Sequence, residues 1–216
     1  MNKVLVVAAH PDDELLGIGG TVIKHTEAGD EVRSIIMCEG ESLRYKNDVG
    51  QNVAIQEAAT VMGVNKIYSL KYPDQKLDTY SLTDLIGPIE EISEEYRPNI
   101  IYCQSACDAN RDHKILFEAA SIAFRPTSEW IEDFYCFYTA SSTEWGYPRN
   151  FVPDTWINIT NELEKKIEAF EKYHSEVREY PHPRSSDSLR NQAHFWGNQC
   201  CMDAAEVLMS IRRIRR

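Results

Sequence analysis

The chain alternates short, almost wholly apolar runs with longer stretches of helical period. Residues 3–9 (KVLVVAA) read as a strand covered on both faces, because after Lys3 no polar position marks a wet side. Residues 31–38 (EVRSIIMC), 66–70 (KIYSL) and 99–104 (NIIYCQ) share that character, and helix-like segments near 14–28, 50–63, 81–96 and 113–124 fill the intervals. Strands alternating with helices predict an α/β protein with a doubly wound, mostly parallel sheet and helices on both faces.

After Pro126 the rhythm changes. Residues 133–140 (DFYCFYTA) and 154–159 (DTWINI) read as strands, followed by helices near 161–174 and 186–209. This last third is expected to pack on the sheet and wall the site. Turn residues mark loops at 40–49, 71–79, 105–112, 141–153 and 180–187. The closing SIRRIRR reads as the cationic C-terminal end of the last helix. No repeat or linker divides the 216 residues, so one domain, 1–216, is expected.

Composition narrows the function. A formal net charge of −11 argues against a general nucleic-acid binder, which needs a basic surface to displace counterions. No apolar stretch approaches the roughly 18 residues of a membrane span, and the chain enters a strand without a signal-peptide layout, so a cytoplasmic location is expected. The six cysteines follow no paired framework and are expected to be reduced and buried; Cys103 and Cys107 lack a CxxC partner pair for a metal.

In an open parallel sheet, ligands bind beyond the carboxyl ends of the strands, where strand order reverses. The segment His10-Pro11-Asp12-Asp13-Glu14 follows the first strand, and Asp108-Ala109-Asn110-Arg111-Asp112-His113 follows the fourth, so two polar clusters fall on one edge. The first loop lacks GxGxxG and offers carboxylates where a pyrophosphate needs bare N–H groups, which argues against a dinucleotide. A divalent ion fits better. His10 and Asp13, three residues apart across a turn, and His113 supply one carboxylate and two imidazoles, leaving a fourth position of tetrahedral zinc for water. The simpler alternative is that Asp12, Asp13 and Glu14 favour the first turn of any helix and that both histidines are structural, as His25 is taken to be.

The AHPDDE at 9–14 and the DH at 112–113 carry a resemblance to the PIG-L/LmbE-like zinc-dependent deacetylases, which remove N-acyl groups from N-acetylglucosamine and related amino sugars. SSTEW (141–145), ELEKKIEAFEKYHSE (162–176), YPHPRS (180–185) and AAEVL (204–208) extend it nearly end to end. The resemblance implies a Rossmann-like fold, one zinc or another divalent ion on His10, Asp13 and His113, and Asp12 as general base. It also implies Asp112 as the partner that orients a metal-bound or neighbouring histidine.

The chain departs from the family at Asn110, where many members carry a histidine; an amide donates a hydrogen bond to an oxyanion but supplies no proton. His182 is the candidate helper. The resemblance makes Arg44 a candidate to bind the sugar or assist the tetrahedral intermediate, since the family often places an arginine in this region, although the helix position where others have it is Asn52 here. Asp74 is a candidate for a sugar hydroxyl, and Trp145, with Tyr147 and Trp156, for sugar stacking. The expected substrate is an N-acyl amino sugar, free or carried on a nucleotide, lipid or glycan, and a homo-oligomer is allowed. An amidase for another N-acyl conjugate, such as a thiol–sugar conjugate, and a metal- and sugar-binding protein without turnover stay open.

Overall fold

In a computed structural model of the chain, which describes residues 1–41 and 50–216, the apolar runs become strands of one sheet. The elements are β1 (Lys3–Ala8), α1 (Asp13–Glu27), β2 (Glu31–Cys38), α2 (Gln51–Met62), β3 (Lys66–Tyr72), α3 (Leu82–Tyr96) and β4 (Ile100–Gln104). They continue with α4 (Arg111–Ala123), β5 (Asp133–Phe137), β6 (Thr155–Asn158), α5 (Leu163–Phe170), α6 (Ser186–Asn198) and β7 (Ala205–Arg213).

The strand order is β3-β2-β1-β4-β5-β7-β6. Neighbours from β3 to β5 pair in parallel, while β7 runs antiparallel between β5 and β6. This is the α/β Rossmann-like architecture that the alternation predicts. Successive side chains of β1 serve opposite faces: Val4 and Val6 pack under α1, α2, α5 and α6, whereas Leu5 and Val7 pack against α3 and α4. The chain leaves β1 toward β2 on one side and returns as β4 on the other. A crevice therefore opens beyond their carboxyl ends.

The helix expected over 186–209 is corrected. It stops at Asn198, and 205–213 is a strand. Gly197 lies so close to the turn that a Cβ would sit 2.4 Å from the Met202 carbonyl oxygen, and Cys201 turns the chain at φ +56°. The helix formers in AAEVLMS are overridden because β7 finds partners on both sides, from Asp133↔Arg213 to Asn158↔Ala205. The basic tail is thus no helix end. Arg213 and Arg215 instead flank Asp133 at 3.5 and 2.9 Å.

α1 crosses the sheet at close range. A Cβ at Gly17 would lie 2.2 Å from the Phe137 ring, and one at Gly20 would lie 2.8 Å from Ile159. The helix breaks at Ile18 (φ −137°), and two buried side chains repair the break. Glu206 accepts from the backbone N–H groups of Gly20 (2.9 Å) and Thr21 (2.7 Å), while Lys166 Nζ donates to the Leu16 carbonyl (3.0 Å) and to Glu206 (2.6 Å). Among the described residues no helix is long and apolar enough to cross a membrane.

Candidate active site

The loop after β1 turns sharply. Asp12 adopts φ +90°, a conformation costly for a residue with a side chain, and its carbonyl accepts from Leu15 and Leu16 to start α1. Asp13 falls in the first turn, and its Oδ2 accepts from the His10 backbone N–H at 2.9 Å. Across the crevice, Asn110 caps α4 by accepting from the Asp112 N–H (2.9 Å), which puts Asp112 and His113 in the first turn of that helix.

Three atoms converge there. His10 Nδ1 lies 3.2 Å from Asp13 Oδ2, His113 Nε2 lies 3.3 Å from the same oxygen, and the two nitrogens are 3.3 Å apart. The opposite ring nitrogens face carboxylates. His10 Nε2 is 3.1 Å from both Asp112 Oδ2 and Asp74 Oδ1, and His113 Nδ1 is 2.7 Å from Asp108 Oδ2. Asp108 is itself held by the Thr143 hydroxyl (2.6 Å), and Asp112 by the Leu77 N–H (3.2 Å).

This arrangement fits a divalent cation. Each carboxylate behind an imidazole takes that ring's N–H, so the neutral tautomers aim lone pairs of His10 Nδ1 and His113 Nε2 at one another and at an anionic oxygen. Asp13 Oδ1 is buried without a hydrogen-bond partner. Without a metal, only protons can relieve that crowding. Burial alone would lower both histidines, yet the surrounding aspartates raise His10 well above the usual imidazole range and raise His113 as well. Burial likewise opposes ionisation of Asp13, but the two imidazoles hold it well below the usual carboxylate range. One residue further along, burial and then the charges of Asp12 and Asp13 push Glu14 up to about 8.

A second group, His10, Cys38 and Asp112, lies on the far side of the His10 ring. Cys38 Sγ donates to Asp112 at 3.6 Å, and burial pushes its thiol up to about 11, so it behaves as a hydrogen-bond donor and not as a thiolate. Cys103 and Cys107 join no metal-sized cluster among the described residues. The expectation of buried cysteines is corrected in part: Cys38, Cys103 and Cys136 are buried, Cys107 is half-buried, and Cys200 and Cys201 are exposed at the turn before β7.

Beside the triad a cavity of about 330 Å³ is lined by Asn110, His113, Ser142, Trp145, His182 and Arg184. Asn110 uses its side-chain oxygen in capping, so its amide NH₂ is the group left for the cavity. His182 Nδ1 accepts from the Arg184 N–H (3.0 Å), which leaves Nε2 to donate. Burial first, then Arg184 and Arg178, lowers its pKa and favours the neutral ring. Trp145 is 52% exposed, with its ring edge-on to His182 at a centroid distance of 6.2 Å.

Four of the residues singled out from sequence thus meet at one point or its rim: His10, Asp13, His113 and Asp12. Asn110, His182 and Trp145 share the adjoining cavity. Asp74 does not line it; fully buried, it backs His10, because the loop after β3 tucks beneath the ring. Tyr147 is exposed, and Trp156 sits half-buried in β6 away from the cavity. Arg44 lies outside the described residues.

Sequence reasoning missed Arg184, whose Nη1 lies 3.0 Å from Asp12 Oδ2 and 2.7 Å from Glu176 Oε2. It also missed Asp108 behind His113. Both stood next to residues already singled out, in YPHPRS and DANRDH, but nothing in their spacing gave their direction.

The fold and the site together define a doubly wound α/β protein with a metal-ready His-Asp-His centre at its strand-order reversal. A model of one family, PIG-L, described as GlcNAc-PI de-N-acetylase, matches residues 5–124. The chain belongs to this PIG-L family.

Among curated relatives, the diacetylchitobiose deacetylase of Thermococcus kodakarensis is 25% identical over 211 residues, covering 91% of this chain and 78% of that protein. The N,N'-diacetylchitobiose deacetylase of Pyrococcus horikoshii superposes with a TM-score of 0.80 at 22% identity, over 98% of this chain and 84% of its own. The 4-carboxy-2-hydroxymuconate hydratase of Pseudomonas putida KT2440 also superposes at 0.80, with 20% identity and coverage of 100% and 99%. The last shows that the fold by itself does not name the reaction.

Proposed function

We propose that the chain is a zinc-dependent deacetylase that removes the N-acetyl group of an amino sugar, with His10, Asp13 and His113 holding the ion. The observation that carries this reading is the convergence of His10 Nδ1, Asp13 Oδ2 and His113 Nε2 within 3.3 Å of one another, beside a cavity. Family membership and the similarity to diacetylchitobiose deacetylases support the amide substrate. When bound, zinc supplies a Lewis acid for the acyl carbonyl and lowers the pKa of a coordinated water from about 15.7 to about 7.

The chain's own groups do the rest. Asp13 and the two imidazoles fix the site, while Asp74, Asp108 and Asp112 hold the rings in the tautomers that present lone pairs inward. Asp12 takes the proton of the attacking water, a contribution of typically about 10² to 10⁴-fold. The Asn110 amide and His182 Nε2–H donate hydrogen bonds to the carbonyl oxygen as charge builds on it. Asn110 has no proton to give the departing amine, so Asp12 returns the one it took. Acetate and the free amino sugar result. Trp145 offers an exposed ring for the sugar face.

The test is acetate release by purified, zinc-loaded protein from a panel of N-acetylated sugars and sugar nucleotides. Asp12→Ala is expected to lower turnover at least about 100-fold with zinc content unchanged; near-normal turnover with zinc bound excludes Asp12 as the base. The similarity to a hydratase favours one other reading, addition of water to a C=C bond. Such an enzyme would consume an unsaturated acid and release no acetate.

A further inference from the structure

The 180–185 loop brings Arg184 to the site, where it is nearly enclosed. Its Nε donates to Ser141 Oγ (2.8 Å), and its Nη1 is shared between Glu176 Oε2 (2.7 Å) and Asp12 Oδ2 (3.0 Å). Glu176, itself 2% exposed, accepts from Gln51 Nε2 at the start of α2 (3.2 Å). A guanidinium is a rigid planar fork, so fixing Nε and the Glu176 side of Nη1 also fixes the direction of the bond to Asp12. Asp12 stands on a strained backbone at φ +90° and is 1% exposed, so its carboxylate orientation depends on the groups around it.

We propose that Arg184 is a positioning residue for the deacetylation, anchoring Asp12 by Oδ2 and thereby setting the aim of Oδ1 at the attacking water. The proposal rests on the deacetylase reading above. A general base works only within hydrogen-bond reach of the proton it removes, and a displacement near 1 Å costs on the order of 10²-fold. Glu176 serves as the fixed counterpart of the anchor. It shares Nη1 with Asp12, so the guanidinium cannot swing toward Asp12 alone. Arg184 therefore acts on the reaction through Asp12, and its removal should slow turnover more than it weakens substrate binding.

The full-length, zinc-loaded protein is assayed with a substrate from which the wild type releases acetate. Arg184→Ala is expected to lower kcat about 100-fold, with KM within about threefold and zinc per chain unchanged. Guanidinium ion added to that variant is expected to restore at least a tenth of the lost rate by refilling the vacated anchor. Arg184→Lys keeps the charge without the fork and should fall about tenfold in kcat at unchanged KM.

A kcat within threefold of wild type, a rise in KM alone, or no response to guanidinium overturns the proposal. If Arg184→Ala does not fold, Arg184→Lys decides, and an unchanged kcat in that variant is the overturning result. A wild-type chain that binds zinc yet releases no acetate from any substrate defeats the deacetylase reading itself, an outcome separate from an active wild type with an indifferent Arg184.

Discussion

α1 carries two buried charged clusters a few residues apart, and they are built in opposite ways. At its break, Lys166 and Glu206 form a neutral pair in which every polar atom is used: Glu206 takes two backbone N–H groups, the Thr21 hydroxyl and the ammonium. At its start, Asp12, Asp13 and Glu14 crowd with Asp74, Asp108 and Asp112 around two imidazoles and Arg184, and Asp13 Oδ1 and Glu14 Oε2 are left without partners. The first cluster replaces hydrogen bonds that the break in the helix removes. Among the described residues the second holds more negative charge than its cations balance, and a fold tolerates such excess where a ligand completes it.

The largest expected effect breaks the second cluster. Asp13→Ala is expected to abolish stoichiometric zinc binding and acetate release together. Zinc at 100 times its dissociation constant should stabilise the wild type by about 2.7 kcal/mol, and the variant should gain nothing. Metal analysis and thermal melts with and without zinc check both; zinc-dependent stabilisation that survives in Asp13→Ala separates the cation site from this aspartate.

The reciprocal experiment breaks the first cluster. Lys166→Met leaves Glu206 buried without its counter-ion and frees the Leu16 carbonyl, a loss of about 3–5 kcal/mol in unfolding free energy. Its zinc content and kcat per folded chain are expected to match wild type. Lys166→Met combined with Glu206→Gln should lose less than the two single variants added together, since each single change strands the other residue of the pair. If Lys166→Met lost zinc in proportion to stability, the two clusters would be one cooperative unit and the contrast would fail.

A smaller effect tests how closely α1 must lie on the sheet. Gly17→Ala puts a methyl group 2.2 Å from a Phe137 ring carbon, both in the packed interior. The expected cost is about 1–3 kcal/mol by denaturant unfolding. Gly29, at φ +84° with nothing within 4 Å of a Cβ, separates the two reasons for glycine: there any loss comes from backbone strain and none from packing.

What was legible in the chain follows the same division. The parallel half could be read because its strands, buried on both faces, are continuous apolar runs, and the metal-ready triad because two imidazoles and a carboxylate stood next to strand ends. β7 could not. Its AEVLMSIRR looks helical until β5 and β6 pair with it, and pairing across 47 to 80 positions leaves no local trace. Arg184 escaped for a similar reason: its meeting with Asp12 spans 172 positions. Asp74 was read as facing a sugar because its strand ends on the site edge, but the loop turns it inward to back His10. Sequence thus located the three side chains that converge, while the residues that back them needed the packed loops.

The smallest effect calibrates the comparison with a carboxylate that has its donors but little burial. Asp154 accepts from the Ser210 N–H (3.1 Å), the Ser210 hydroxyl (2.9 Å) and the Thr155 hydroxyl (2.9 Å), tying β6 to β7. Its slight burial alone would raise its pKa, but the Ser210 and Thr155 donors and nearby Arg213 outweigh that and lower it. A carboxyl depressed on folding stabilises above its unfolded value near 3.9, and the contribution disappears as pH falls through the folded value. Because solvent screens this exposed group, Asp154→Asn is expected to cost no more than about 1 kcal/mol at neutral pH. The difference from wild type should shrink below about pH 4, as the wild-type carboxyl also becomes neutral. A loss as large as that of Lys166→Met would mean that burial is not what separates structural charge pairs from surface ones in this protein.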